Sequence, residues 1–167
     1  MTPKNGVFGM KKMKISSPQF EYDGWMPDIL SGYGKDESPE LYIEGIPEGT
    51  VSLAVTMDDI DHPVIPGFNH WIAWNIDPKD YIPGALPKGG VIDNPIHIEQ
   101  GLGYGKNCYR GPKPPFNGNH RYRFNVYALD INLNLPPSVK KAGLIKAMEG
   151  HILATGELMG KYQRRHG

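Results

Sequence analysis

The amino-acid sequence predicts a mostly β protein, an antiparallel β-sandwich with a few short peripheral helices. Several short segments alternate apolar and polar residues, one helical pattern stands near the C-terminus, and no repeated βα alternation is present. Turn-forming residues separate the segments, with 21 glycines and 16 prolines in 167 residues. We therefore expect packed antiparallel sheets rather than a parallel sheet flanked by helices.

Four strands are predicted in the first half of the chain. They lie at residues 19–22, 40–44, 51–57 and 70–76. Segment 51–57, VSLAVTM, has the alternation and the β-branched residues of a core strand. Segment 70–76, HWIAWNI, also alternates, so we expect His70, Ile72, Trp74 and Ile76 on one side of it.

A long loop and a second pair of strands are predicted in the other half. Residues 81–97 and the glycine- and proline-rich stretch 101–118 are expected to be loops. Segment 120–130 has a period of two, and it directs one set of side chains towards the interior: His120, Tyr122, Phe124, Val126 and Ala128. Residues 151–162 fit a helix or a strand, and Gly156 and Gly160 favour the strand.

One short helix is predicted from Val139 to Glu149. Ser138 is a suitable N-cap and Gly150 a suitable residue just beyond the C-terminal end. Lys140, Ala142 and Leu144 are among the helix formers between them.

Charge and composition limit the classes of function. Eighteen basic and eighteen acidic residues give a net charge of +0, which argues against a nucleic-acid-binding protein. The single Cys108 excludes an intrachain disulfide and a zinc site built from several cysteines, and it suits a reducing compartment. The chain lacks the long apolar segment of a signal peptide or of a membrane span. We expect a cytoplasmic protein with one domain at residues 13–167, preceded by a flexible tail at residues 1–12.

Polar side chains with acid–base chemistry collect at predicted strand ends. They are Asp59, Asp61, His70, His120 and Tyr122. Together they suggest an anion pocket in which the carboxylates accept hydrogen bonds from histidines or loop amides and raise the imidazole pKa. The alternative is that the aspartates cap turns and the histidines are ordinary half-buried residues.

Two other functions are compatible with these residues. One is an acid–base or metal-assisted hydrolase that uses Asp59, Asp61, His70 and His120. A metal site could be built from Asp59, Asp61, His62 and His70, but this spacing is a weak metal signal, and a solvated turn explains it better. A structural interaction module with a non-functional pocket is the third interpretation. Cys108 has no base predicted beside it, so we expect no nucleophilic role and no cofactor.

Four stretches carry a family resemblance. TMDDIDHP, NHWIAWNI, YRGPKPPFNGNHRYRFNVYALD and AMEGHILATGELMGKYQR follow one another in the order and spacing of the phosphatidylethanolamine-binding protein family. The sequence resembles the bacterial and archaeal branch of that family, the Raf-kinase-inhibitor-like proteins, from about Met13 to Arg164.

The resemblance implies a β-sandwich with a small pocket for phosphate-bearing head groups and no enzymatic activity. The matching pocket positions are Asp59, Asp61, His70, His120 and Tyr122, with Gly111, Pro112 and Pro114 at the rim. Expected partners are a small phosphorylated or anionic ligand, a protein such as a kinase or protease, and a second copy of the chain in a homodimer. The sequence departs from the family at Ile60 and His62, and His62 adds a third imidazole near the expected pocket mouth.

Overall fold

The computed structural model describes residues 10–164. Within them lie eleven strands, one α-helix and a short 3₁₀ helix at Asp28–Leu30. The strands of the first half are β1 (Lys11–Lys12), β2 (Lys14–Ser16), β3 (Gly24–Trp25), β4 (Leu41–Glu44), β5 (Ser52–Asp59) and β6 (Phe68–Ile76). The other elements are β7 (Tyr81–Ile82), β8 (Val91–Ile92), β9 (Ile98–Gln100), β10 (His120–Leu129), helix α1 (Lys141–Met148) and β11 (Ile152–Tyr162).

These strands form two sheets, as the sequence predicted. The large sheet has the order β1-β11-β10-β5-β6-β9-β8, with β3 also beside β11, and the small sheet has the order β2-β4-β7. Pairing is antiparallel except where β1 and β3 run parallel to β11. The mostly β fold is therefore confirmed.

The central strand β5 is covered on both faces. One face packs into the main core, where Val55 and Met57 join Phe124 and Val126 of β10 and Ile43 of the small sheet. The other face packs under α1, which contributes Leu144 and Met148 to a second cluster with Ala54. All eight residues of β5 are buried in consequence, and hydrophobic burial on both sides stabilises this strand.

Two local predictions are wrong. Residues 19–22 form a turn rather than a strand, because Asp23 adopts a left-handed φ of 59° and the Gln19 amide bonds to the Ser17 hydroxyl oxygen at 3.2 Å. The loop predicted at 81–97 contains the short strands β7 and β8. Their two-residue length explains why no alternation marks them in the sequence.

The helix and the last strand are confirmed with one correction. Helix α1 begins after Lys140, which makes no side-chain cap hydrogen bond, so Ser138 does not cap it. A turn closed by the Val139 amide on the Pro136 carbonyl, at 3.0 Å, occupies the position where Ser138 would have to act. Gly150 has a φ of +81°, the left-handed conformation expected just beyond a helix end.

The ends of the chain add two observations. Of the predicted tail, residues 1–9 lie outside the described part, and Lys11–Lys12 form β1. Among residues 10–164, no helix has the length and apolar character that a bilayer crossing requires.

The main core generates a stability prediction with a matched control. Phe124 is fully buried and its ring lies 6.1 Å from that of Phe20, whereas Phe116 is 87% exposed. We expect Phe124→Ala to lower the free energy of unfolding by about 3–5 kcal/mol, because it leaves a cavity, and Phe116→Ala to change it by about 0.5 kcal/mol or less. Urea denaturation of both variants measures this, and equal losses would contradict the assignment of the core.

Candidate functional site

The end of β5 brings three strands together at one edge of the main core. Asp59, the last residue of β5, is paired in register with Tyr122 of β10 and with Phe68 of β6. Paired residues on antiparallel strands point to the same face of a sheet, and so do residues two apart along one strand. Asp59, Tyr122 and His120 therefore converge on the inner face of the large sheet.

A β-bulge delivers His70 to the same place. Met57 and Asp58 are consecutive in β5, yet their partners in β6 are Trp71 and Asn69, so His70 is an extra residue between them. A second irregularity lies opposite Leu53 to Val55, where Asn75 has a φ of 49°.

These bulges overturn the predicted faces of β6. Ile72 and Trp74 pack under α1 in the second cluster, whereas Ile76 joins the main core. His70 instead lies against Tyr122 of the main core, with 5.4 Å between the ring centroids. The prediction that His70, Ile72, Trp74 and Ile76 share one side is wrong, because each bulge reverses the alternation.

A cavity of about 160 Å³ opens at this edge of the sheet. Its lining comprises Asp59, His62, Pro63, His70, Tyr104, Lys113, Pro114, Pro115, His120 and Tyr122. Sites for drug-sized molecules are commonly about 300–1,000 Å³. The cavity therefore suits a ligand, or a part of one, of only a few heavy atoms.

The structure brings five of the eight residues predicted for the site to this cavity and leaves three outside its lining. The five are Asp59, His70, Pro114, His120 and Tyr122. His62, the departure from the family pattern, also lines the cavity.

The three others support the site from behind or beside it. Asp61 pairs with the Arg121 guanidinium at 2.8 and 2.9 Å, and this contact lowers the pKa of Asp61. The Gly111 amide donates to Asp36 at 2.6 Å, and a Cβ at Gly111 would lie 1.9 Å from the Leu30 carbonyl oxygen. The Pro112 carbonyl accepts from the Gly32 amide at 2.8 Å. Gly111 and Pro112 therefore anchor the loop to residues 30–36.

Asp59 orients His120. The buried Asp59 carboxylate accepts a hydrogen bond from His120 Nδ1 at 2.7 Å and a second from the Asp61 amide at 3.0 Å. The prediction that Asp59 accepts from a histidine is confirmed, whereas Asp61 accepts from Arg121 instead. With Nδ1 held on the carboxylate, the other ring nitrogen of His120 remains for the cavity.

His70 is held by a backbone carbonyl instead of a carboxylate. Its Nδ1 lies 2.8 Å from the Arg110 carbonyl oxygen, which can only accept, so Nδ1 carries the proton. The rings of Phe68, Tyr104 and Tyr122 meet the imidazole edge to face at 5.7, 5.0 and 5.4 Å between centroids. Burial among them lowers the pKa of His70 below its usual value, against the opposing effects of the Arg110 carbonyl and Asp59. The expected raised imidazole pKa is therefore wrong for this residue.

Sequence reasoning missed four residues of the cavity wall: Pro63, Tyr104, Lys113 and Pro115. Tyr104 has a φ of 52° in a tight turn closed by Gly103 and Lys106, and the Arg110 guanidinium lies 4.5 Å from its ring centroid. The signal that marks it in the sequence is an aromatic residue between two turn glycines, Gly-Tyr-Gly. Lys113 also lines the cavity, and its ammonium group lies 5.7 Å from the Tyr33 ring centroid.

The candidate metal ligands do not form a metal site. Asp59 is bound to His120, Asp61 to Arg121, and the His62 Nδ1 accepts from the Val64 and Ile65 amides at 3.2 and 3.0 Å. Among residues 10–164, no group of three or more histidine, cysteine or acidic side chains is arranged to hold a metal ion.

Comparisons with known proteins identify relatives over nearly the whole chain. Residues 16–163 match the family model described as phosphatidylethanolamine-binding protein. A UPF0098 protein of Pyrococcus abyssi is 46% identical over 162 residues, which are 96% of this chain and 90% of that protein. A UPF0098 protein of Aquifex aeolicus is 36% identical over 91% of this chain and 89% of its own.

Two solved structures share the fold. The crystal structure of a phosphatidylethanolamine-binding protein homologue from Chlamydia trachomatis has a TM-score of 0.81 and 34% identity, and it covers 92% of this chain and 99% of its own. The structure of Escherichia coli YbcL, described as a new member of the mammalian family, has a TM-score of 0.80 and 27% identity over 90% of this chain and 98% of its own.

The burial of His70 generates a pH prediction. Because the pKa of His70 is lowered in the folded chain, the unfolded chain binds a proton more readily below about pH 6.5 and stability falls as the pH decreases. The contribution of one such histidine is at most about 1.4 kcal/mol for each pH unit. Urea denaturation at pH 7.5 and 5.5 should show a larger loss in the wild type than in His70→Gln.

Direct titration of the His70 ring by NMR provides the control for other acid-sensitive groups. A midpoint below about 6.5 is expected. A midpoint above that value would contradict the burial of the ring.

Proposed function

Because the chain belongs to the phosphatidylethanolamine-binding protein family, we propose that the cavity at the end of β5 binds a small phosphorylated or otherwise anionic group without chemical turnover. The observation that carries the proposal is the convergence of two oriented imidazoles, a phenol and a lysine on one small cavity: His70, His120, Tyr122 and Lys113. Each of these side chains offers a hydrogen-bonding group to a polar guest.

The neutral donor of the cavity is Tyr122. Its side chain is buried, and its hydroxyl makes no hydrogen bond within the described residues. Burial raises the pKa of Tyr122, so the hydroxyl keeps its proton and can donate to an oxyanion. Because Tyr122 lines the cavity, its hydroxyl can donate a hydrogen bond to a ligand oxygen there.

The charge balance also favours an anionic guest. The Asp59 carboxylate lies in the lining, but His120 and the Asp61 amide occupy its two oxygens. Lys113 stands at the rim with its ammonium group 5.7 Å from the Tyr33 ring centroid. Lys113 therefore supplies a positive charge beside the cavity, and such a charge attracts an anion.

The cavity volume restricts the ligand to a small group. A space of about 160 Å³ accommodates a phosphate and a short substituent better than a complete large molecule. The ligand is therefore a free small anion or the head group of a larger molecule.

Three further expectations extend this proposal. A protein partner such as a kinase or protease, a homodimer and a cytoplasmic location rest on the family resemblance and on the single Cys108. The family matches do not support the hydrolase alternative, and Asp61, one of its four assigned residues, is engaged with Arg121 beside the cavity.

The test is calorimetric titration with inorganic phosphate at pH 6.5. We expect saturable binding by the wild type, and Tyr122→Phe should weaken it about tenfold or more because one hydrogen bond to a charged group is lost. Tyr127→Phe is the matched control, since Tyr127 lies on the same strand and packs against the second cluster.

Two results would contradict the binding proposal. One is the absence of phosphate binding by the wild type, and the other is an equal effect of the two tyrosine substitutions. Turnover in a phosphatase and esterase panel that is lost in His120→Gln would instead favour the hydrolase.

A further inference from the structure

The three imidazoles of the cavity do not offer the same hydrogen-bonding groups. His70 uses its Nδ1 proton on the Arg110 carbonyl, so the neutral ring has only a lone pair at Nε2. The Arg110 carbonyl is the partner within hydrogen-bond distance of this ring among residues 10–164, and the Gly111 backbone acts on the ring more weakly. His62 is the reverse case, because its Nδ1 accepts from the Val64 and Ile65 amides and its Nε2 therefore carries the proton.

His70 cannot readily change its role. A ring flip would break the 2.8 Å contact with the Arg110 carbonyl, and three aromatic rings pack around the imidazole. Protonation at Nε2 is opposed by burial. The charged or titratable groups that act on this ring or pack near it are Asp59, Asp36, Arg110, Tyr104 and Tyr122, and His62, Lys113 and His120 line the same cavity.

An oxyanion without a proton can only accept hydrogen bonds. Its oxygen and His70 Nε2 would then be two acceptors in contact, with no proton between them. An oxyanion with a hydroxyl group would donate to the same nitrogen and satisfy it. We propose that the cavity selects oxyanions that carry their own proton, namely hydrogen phosphate and the monoanion of a phosphate monoester, with His70 Nε2 as the acceptor that determines this specificity. This inference rests on the proposed anion-binding function of the same cavity.

This proton requirement distinguishes ligands of similar shape and charge. Inorganic phosphate keeps a proton throughout the neutral pH range, whereas sulfate and phosphate diesters have none. A phosphate monoester loses its last proton at about pH 6. The affinity for a monoester should therefore be full below that pH and should fall as the pH rises through it.

The experiment compares four probes by calorimetry at pH 7.5 and 5.5: inorganic phosphate, sulfate, methyl phosphate and dimethyl phosphate. At pH 7.5 we expect phosphate to bind about tenfold or more tightly than sulfate and dimethyl phosphate, because the wrong ligand leaves a buried acceptor without a donor. Methyl phosphate should gain affinity at pH 5.5 by more than sulfate does. Sulfate keeps its charge over this range, so the change in sulfate affinity measures the contribution of ionisable groups of the protein.

Two variants separate the acceptor from a neighbouring donor. His70→Gln supplies an amide that can donate as well as accept, so the ratio of phosphate to sulfate affinity should fall towards one. His62→Gln removes a donor at the same cavity, and it should weaken both ions by similar factors and leave the ratio unchanged. Imidazole nitrogen NMR of the wild type is independent of these substitutions and should show the His70 proton on Nδ1 at pH 7.5.

The outcomes distinguish this inference from the function on which it rests. Equal affinity for phosphate and sulfate at pH 7.5, or a His70 proton on Nε2, would overturn the selection and leave anion binding in place. If none of the four probes binds, the proposed function fails and the inference fails with it.

Discussion

The pairing register at the end of β5 is the constraint on which the site depends. Two consecutive aspartates there point to opposite faces of the sheet and bind different partners. Asp58 points to the outer face, where Lys141 of α1 binds it at 2.6 Å and Asn69 at 3.0 Å, whereas Asp59 points inward to His120 at 2.7 Å. A slip by one residue would exchange the two faces and leave both buried carboxylates without partners. The contacts that hold the helix against the sheet therefore also keep Asp59 in the cavity.

The second constraint is the single extra residue in β6. Without the bulge, His70 would alternate with Trp71, an inward residue, and would lie on the outer face. The bulge turns the ring inward, and the loop that carries Arg110 then fixes it through a backbone carbonyl. Gly111 follows immediately and allows the close approach to the Leu30 carbonyl that only a glycine permits. Local backbone geometry thus decides which nitrogen of His70 bears the proton.

Much of this arrangement could be predicted from the sequence, and the remainder has identifiable physical causes. The alternation of β10 indicated its inward face correctly because no bulge interrupts residues 120–128. The faces of β6 were not predictable, because a bulge adds one residue to a strand and so reverses the alternation of its side chains. No particular residue type is required at a bulge, so the sequence does not mark it. The partner of Asp61 was missed because the predicted inward set of β10 does not include Arg121, and pairing between β5 and β10 is a long-range contact. Tyr104 depends on a turn that brings it over His70, and such proximity has no periodic signal.

A crystal structure grown in phosphate tests the central claim most directly, because it shows the register, the bulge and the guest together. The account predicts a tetrahedral ion in the cavity within hydrogen-bond distance of His70 Nε2 and the Tyr122 hydroxyl, with His70 Nδ1 still on the Arg110 carbonyl. A His70 ring on the outer face beside Ile72 and Trp74, or ordered phosphate found at other surfaces while this cavity holds none, would contradict it.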